Sequence, residues 1–162
     1  MKIEIVDAAT TSELRRSVLR PSWPVGTPMH GDDDPSAVHL AALDSGGAIV
    51  GACVVIARRC PAFPDLDASW QLRGMATADA SRGIGVGTAL TDGALVAVAA
   101  RGGRLLWCDA RQTAIDFYLA RGFTGVGEVY AHPETGAPHL LMYRHISGEP
   151  GELSAAAISS TP

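Results

Sequence analysis

The chain begins with a short alternation. Ile3 and Ile5 share one side and Glu4 the other, the period-two pattern of a strand over residues 2–6. Thr10 stands three residues before Glu13, the spacing of a capping box. It predicts a helix whose apolar side is Leu14, Val18 and Leu19 and which stops at Arg20-Pro21. A loop rich in proline and glycine covers residues 22–35. Residues 38–43 and 48–57, rich in Val, Ile and Leu, flank the turn Asp44-Ser45-Gly46-Gly47 and predict an antiparallel hairpin. After a second loop with Pro61 and Pro64, residues 70–77 read as a strand and residues 78–85 as a polar, glycine-rich turn.

Residues 86–100 are apolar and alanine-rich, long enough for a helix of about four turns, and Gly102-Gly103 ends it. Residues 105–108 form a short buried strand. Residues 113–120 predict a last helix closed by Arg121-Gly122, and residues 125–130 and 139–145 two final strands. The order β-α-β-β-β-α-β-α-β-β describes an α/β or α+β fold with a mixed sheet flanked by helices. Residues 1–146 are expected to form a single domain. Residues 147–162 lack periodicity and are expected to be a disordered tail.

Composition narrows the function classes. The 162 residues are 47% hydrophobic and 19% charged, with a net charge of −4, as for one globular domain with one core. There is no basic excess to hold a nucleic acid. No apolar run reaches the roughly 18–20 residues of a membrane span. The start Met1-Lys2-Ile3-Glu4-Ile5 interrupts any signal-like stretch with charge, so a soluble cytoplasmic protein is expected. Cys53, Cys60 and Cys108 are odd in number and lack metal-ligand spacing; Cys53 and Cys108 lie in apolar runs and are expected to be buried thiols. Asp32-Asp33-Asp34 near His30 and His39 reads as a solvated acidic loop, and no metal is expected.

The segment Arg82-Gly83-Ile84-Gly85-Val86-Gly87-Thr88 carries the most chemistry. It follows a strand and opens a helix, so unpaired N–H groups, the helix dipole and a cation converge where glycines allow close backbone approach. That suits a phosphate or diphosphate. No lysine completes a P-loop, and a G-x-G-x-x-G fingerprint places Thr88 or Leu90 where its third small residue belongs. Asp109 after the next strand still mimics a ribose-binding acid, so a nicotinamide-dependent reductase stays as an alternative.

The spacing that fits is Q/R-x-x-G-x-G/A, filled by Arg82, Gly85 and Gly87. Here the chain resembles the GNAT superfamily of N-acetyltransferases. Met75-Ala76-Thr77 before the turn resembles that family's acyl-CoA strand. Ala114, Phe117-Tyr118 and Gly122-Phe123 resemble its next conserved helix. The front end (Val18-Leu19-Arg20-Pro21, then His39-Leu40) and the ending (Gly127-Glu128-Val129-Tyr130, then Pro138-His139 and Met142) are similar too.

The resemblance implies a GNAT-like fold with a mostly antiparallel, twisted sheet of about seven strands. It implies acetyl-CoA as cosubstrate, and transfer of the acetyl group to a primary amine by direct attack in a ternary complex. A homodimer would be in keeping with the family. Met75, Ala76 and Thr77 would face the pantetheine arm. Arg82, Gly83, Ile84, Gly85, Val86, Gly87 and Thr88 would hold the diphosphate, and Arg111 would contact cofactor or acceptor. Tyr118 stands at the position of the acid that protonates the CoA thiolate. The family often places a glutamate base on the strand before the turn. Trp70-Gln71-Leu72-Arg73-Gly74 has none, leaving Glu128, His139 and Asp109 as candidates. That departure also keeps a non-catalytic acyl-CoA sensor as an alternative. A small amine, an amino acid or a peptide N-terminus would each serve as acceptor.

Overall fold

A computed structural model describes residues 1–146 and the strand residues 158–160. β1 (Lys2–Val6) leads into α1 (Ala8–Leu19). The hairpin β2 (Val38–Leu43) and β3 (Ile49–Ala57) follows, then β4 (Ser69–Thr77), α2 (Val86–Ala99) and β5 (Leu105–Arg111). A 3-10 turn, Gln112–Ala114, precedes the short α3 (Ile115–Leu119), and β6 (Thr124–Ala131) and β7 (Pro138–His145) complete the domain. A short strand, β8 (Ile158–Ser160), lies parallel beside β1; the remainder of the expected tail lies outside the described residues.

The strands form one sheet in the order β6-β7-β5-β4-β3-β2-β1-β8, antiparallel except at the β4–β5 and β1–β8 pairs. Alternation along the strands separates two faces. On one, Leu40, Val55, Leu72 and Leu106 pack under Leu90 and Val98 of α2, with Tyr118 and Phe123 of the α3 region joining them. The other carries α1 over β2, β3 and β4, and a smaller cluster of Cys60, Leu105 and Trp107. Cys53, Cys60 and Cys108 are all buried free thiols. No helix among the described residues is long and apolar enough to cross a membrane.

Two local readings are corrected. The capping box does not form: α1 starts at Asp7 without a side-chain cap, and Glu13 instead receives hydrogen bonds from Arg16. The helix is then extended N-terminally, past the threonine that was to cap it. Its most buried side is also not the expected apolar one. Thr11, Arg15 and Arg16 are buried, while Leu14, Val18 and Leu19 are half-buried. Arg15 can go inside because Asp32 and the Gly74 carbonyl wait there for its guanidinium.

Candidate active site

β4 is the element that makes the site. It pairs with β5 only through Ser69–Leu105, Trp70–Leu106 and Gln71–Trp107, although β4 runs on to Thr77 and β5 to Arg111. Beyond Gln71 the two strands part. The cause lies in the β3–β4 ladder, where Val54 pairs with Arg73 but Ala52 with Ala76, so β4 carries one extra residue. That bulge centres on Gly74, whose φ of +55° suits glycine. A side chain at this position would also collide with Arg15, whose Nε donates to the Gly74 carbonyl at 3.1 Å. The bend turns the Met75–Thr77 edge away from β5 and opens a notch through the sheet.

A cavity of about 460 Å³ occupies the notch. From β4 it is lined by Arg73, Met75, Ala76 and Thr77, from β5 by Cys108, Asp109 and Arg111, and from α3 by Tyr118. α1 and its following loop add Val18, Leu19 and Trp23, and the β6–β7 turn adds His132 and Glu134. The cavity is therefore reached from both faces of the sheet. A second cavity of about 370 Å³ sits over the N-terminus of α2, lined by Gly83, Gly85, Val86, Gly87 and Thr88. Thr77 and Arg82 line both cavities, so the two meet there.

The glycine turn is built as a cradle. Gly83 and Gly85 have φ of +79° and +89°, and a Cβ on either would project into open space. The first intrahelical bond of α2 runs from the Ala89 N–H to Gly85, so the N–H groups of Val86, Gly87 and Thr88 are not used by the helix. Gly51 on β3 seats the helix start: a Cβ there would lie 2.4 Å from Val86 Cγ1. Arg82 is exposed and pairs with Asp79 at 2.8 Å. Ile84 is exposed and lines neither cavity.

Arg121, read from the sequence only as a helix-ending base, reaches this turn as well. It donates to the Thr88 hydroxyl and to the Phe117 carbonyl, stacks 3.7 Å over the Phe117 ring, and leaves a buried Nε without a partner among the described residues. It thus adds a desolvated cation beside the helix start. Phe117 packs close over Gly87 beneath it, and no sequence spacing announces that contact.

At the notch, Tyr118 is 7% exposed and its hydroxyl lies against the Cys108 thiol. Burial holds the phenol well above its usual range and pushes the Cys108 thiol up likewise, while Cys53 rises to about 12 for the same reason. This is a dry pocket that disfavours anions. His139 is buried, packs against His132 with ring centroids 4.7 Å apart and planes tilted by 45°, and donates from Nδ1 to the Ala137 carbonyl at 2.8 Å. A carbonyl only accepts, so Nδ1 carries a proton, and in the neutral ring the lone pair lies on Nε2.

Asp109 accepts hydrogen bonds on both oxygens, from the Tyr130 hydroxyl and from Gln71 Nε2 at 3.1 Å. Glu128 is exposed on β6 and lines neither cavity, so the fold does not bring it to the notch. The β6–β7 register is irregular between Val126 and Tyr130, with Gly127 at φ +73°, so strand alternation does not place this side chain. Arg111, at the end of β5 opposite His139, faces the notch cavity rather than the glycine turn. The acidic loop divides. Asp32 pairs with Arg15 and Asp34 accepts from Ser36, and no group of three His, Cys, Asp or Glu converges among the described residues.

Comparison with known proteins agrees with this geometry. Residues 34–125 match the acetyltransferase (GNAT) domain family. The chain is 24% identical over 144 residues to the uncharacterized N-acetyltransferase YitI of Bacillus subtilis (strain 168), covering 89% of this chain and 95% of that protein. In fold it is similar to an aminoglycoside 6'-N-acetyltransferase complexed with coenzyme A, with a TM-score of 0.71, 19% identity and coverage of 93% and 99% of the two chains. It is also similar to the CoA-dependent acyl-homoserine lactone synthase BjaI with SAM and isopentyl-CoA, with a TM-score of 0.74, 15% identity and coverage of 99% and 93%.

Proposed function

The chain belongs to the GNAT acetyltransferase family and is an acyltransferase, and on that premise we propose that it moves an acetyl group from acetyl-CoA to a primary amine by direct attack within a ternary complex. The notch between β4 and β5 carries this reading. It joins the cradle at α2 to the cavity at Tyr118, as a long thioester arm requires. The diphosphate lies on the N–H groups of Val86, Gly87 and Thr88, with Arg82 and Arg121 nearby. The arm follows the open edge of Met75–Thr77, where backbone groups have no β5 partner.

The amine nitrogen attacks the thioester carbonyl, and a β4 backbone N–H donates to the developing oxyanion. His139 Nε2 takes the amine proton. The carbon–sulfur bond breaks, and Tyr118 gives its proton to the departing thiolate. Burial keeps the phenol protonated until the thiolate departs, and the same dry pocket disfavours a bare thiolate. The proton held by His139 returns to Tyr118 through solvent at the end of the cycle. Asp109, with both oxygens already hydrogen-bonded to Gln71 and Tyr130, serves as a fixed negative charge. The aminoglycoside acceptor of the structural neighbour is not carried over. Aminoglycosides are polycations, and Arg20, Arg73 and Arg111 line this cavity.

The test is thiol release from acetyl-CoA across an amine panel, together with the melting temperature with and without acetyl-CoA. Acetyl-CoA should raise the melting temperature, and release should depend on an amine and fall in Tyr118→Phe. Binding without amine-dependent release would restore the sensor reading, and stabilisation by NADPH alone the reductase.

A further inference from the structure

Two arginines in the cavity wall differ in how fully the protein satisfies them. Arg15 is 1% exposed, and Asp32 and the Gly74 carbonyl take its charge and its N–H groups. Arg73, on β4, keeps only 17% of its side chain exposed. Its protein contacts are loose: Gln71 Oε1 at 3.4 Å, and Glu134 Oε1 at 3.8 Å from a half-exposed turn. A guanidinium has five N–H donors in a planar fork, and removing it from water without a close anion is costly. Burial accordingly pulls its pKa below the ordinary arginine range while leaving it charged.

Gln71 ties this cation to a nearby anion. Its amide nitrogen donates to Asp109 Oδ2 at 3.1 Å, and its oxygen accepts from Arg73 at 3.4 Å and from Arg58 at 3.3 Å. The cavity therefore presents a carboxylate and a guanidinium one glutamine apart, with the carboxylate on β5 next to Cys108 at the notch. A molecule with an ammonium and a carboxylate a few bonds apart complements that pair.

We propose that Arg73 binds an anionic group of the acyl acceptor, which is a small amine bearing a carboxylate, of the α-amino acid type. The amine lies at Asp109 and the notch, and the carboxylate forks onto Arg73. A peptide N-terminus, whose carboxylate has become an amide, loses this contact, and a polycation meets Arg73 unfavourably. The inference rests on the acyl-transfer reading and specifies its second substrate.

The experiment compares free L-amino acids, β-alanine and 4-aminobutyrate with the corresponding C-terminal amides, and with spermidine, as acceptors in acetyl-CoA thiol release. At least one carboxylate-bearing amine should exceed its amide by about tenfold or more in kcat/KM. Arg73→Gln should remove that preference through KM, with kcat little changed and acid and amide brought to parity; Arg73→Lys should fall between. Preference for amides or spermidine overturns the proposal, as does an acid preference that survives in Arg73→Gln. Should Arg73→Gln fail to fold, the acid-to-amide ratio of the unsubstituted protein decides alone. If no amine releases CoA while acetyl-CoA still raises the melting temperature, the transfer reading fails first and this inference with it; amine-dependent release in which no carboxylate-bearing amine exceeds its amide sinks the inference alone.

Discussion

The two halves of β4 differ in what their backbone groups are paired with. From Ser69 to Gln71 the strand is hydrogen-bonded on both sides, to β3 and β5, and Ser69, Gln71 and Leu72 are buried. From Gly74 to Thr77 it keeps only β3, and Met75 and Thr77 are half-buried beside a cavity. One extra residue separates the two regimes. The first half spends its backbone groups on the sheet, and the second leaves one edge free to bind something else. A single strand can therefore be rigid and receptive because the bulge, not a loop, marks the boundary.

Four substitutions test that division, in descending order of effect. Leu106, fully buried and paired with Trp70 in the closed half, should when changed to Ala cost about 2–5 kcal/mol in denaturant unfolding. The folded fraction should retain its affinity for acetyl-CoA. Tyr118→Phe belongs to the open half and should lower kcat by about 10²-fold, or about 2.7 kcal/mol of barrier, while KM for acetyl-CoA holds steady. Gly85→Val should weaken CoA binding by about tenfold or more in titration calorimetry, or about 1.4 kcal/mol, because the left-handed backbone of the cradle excludes a branched side chain.

The smallest effect concerns pH. His39 on β2 is 5% exposed, and neither ring nitrogen has a hydrogen-bond partner among the described residues. Burial holds its pKa below the ordinary 6.5, with Asp32, Arg15 and Asp7 the charges facing it. The unfolded chain then binds the proton more readily than the folded one. Stability contributed by the neutral ring is present above pH 6.5 and declines as pH falls below it. His39→Gln should flatten that decline in melting temperatures taken below pH 6.5, without touching CoA affinity.

Much of the fold was legible because local chemistry and final structure agree. Glycines at 83, 85 and 87 announce a backbone close to a ligand, and the cradle lies there. The hairpin of β2 and β3 and the long α2 follow from runs of apolar residues whose partners are near in sequence. The misses have distant causes. The burial of Arg15 depends on Asp32 and on a carbonyl 59 residues away, which no helical period reports. Gly74 reads as an ordinary strand glycine until the β3 register shows the extra residue. Glu128 stood out as an acid in a familiar ending, but an irregular ladder leaves it outside the cavities. Tyr118, His139 and Arg111 do meet in one cavity, drawn from α3, β7 and β5.

The clasp made by Arg15 has an evolutionary corollary. It fastens the loop after α1, through Asp32, to the carbonyl at the kink of β4. Residues between Trp23 and Met29 hang between that rivet and the helix, so they can be rewritten without disturbing the machinery for the acyl donor. Arg15, Asp32 and Gly74 thus anchor one wall of the cavity to β4 whatever side chains the exposed residues 24–26 carry.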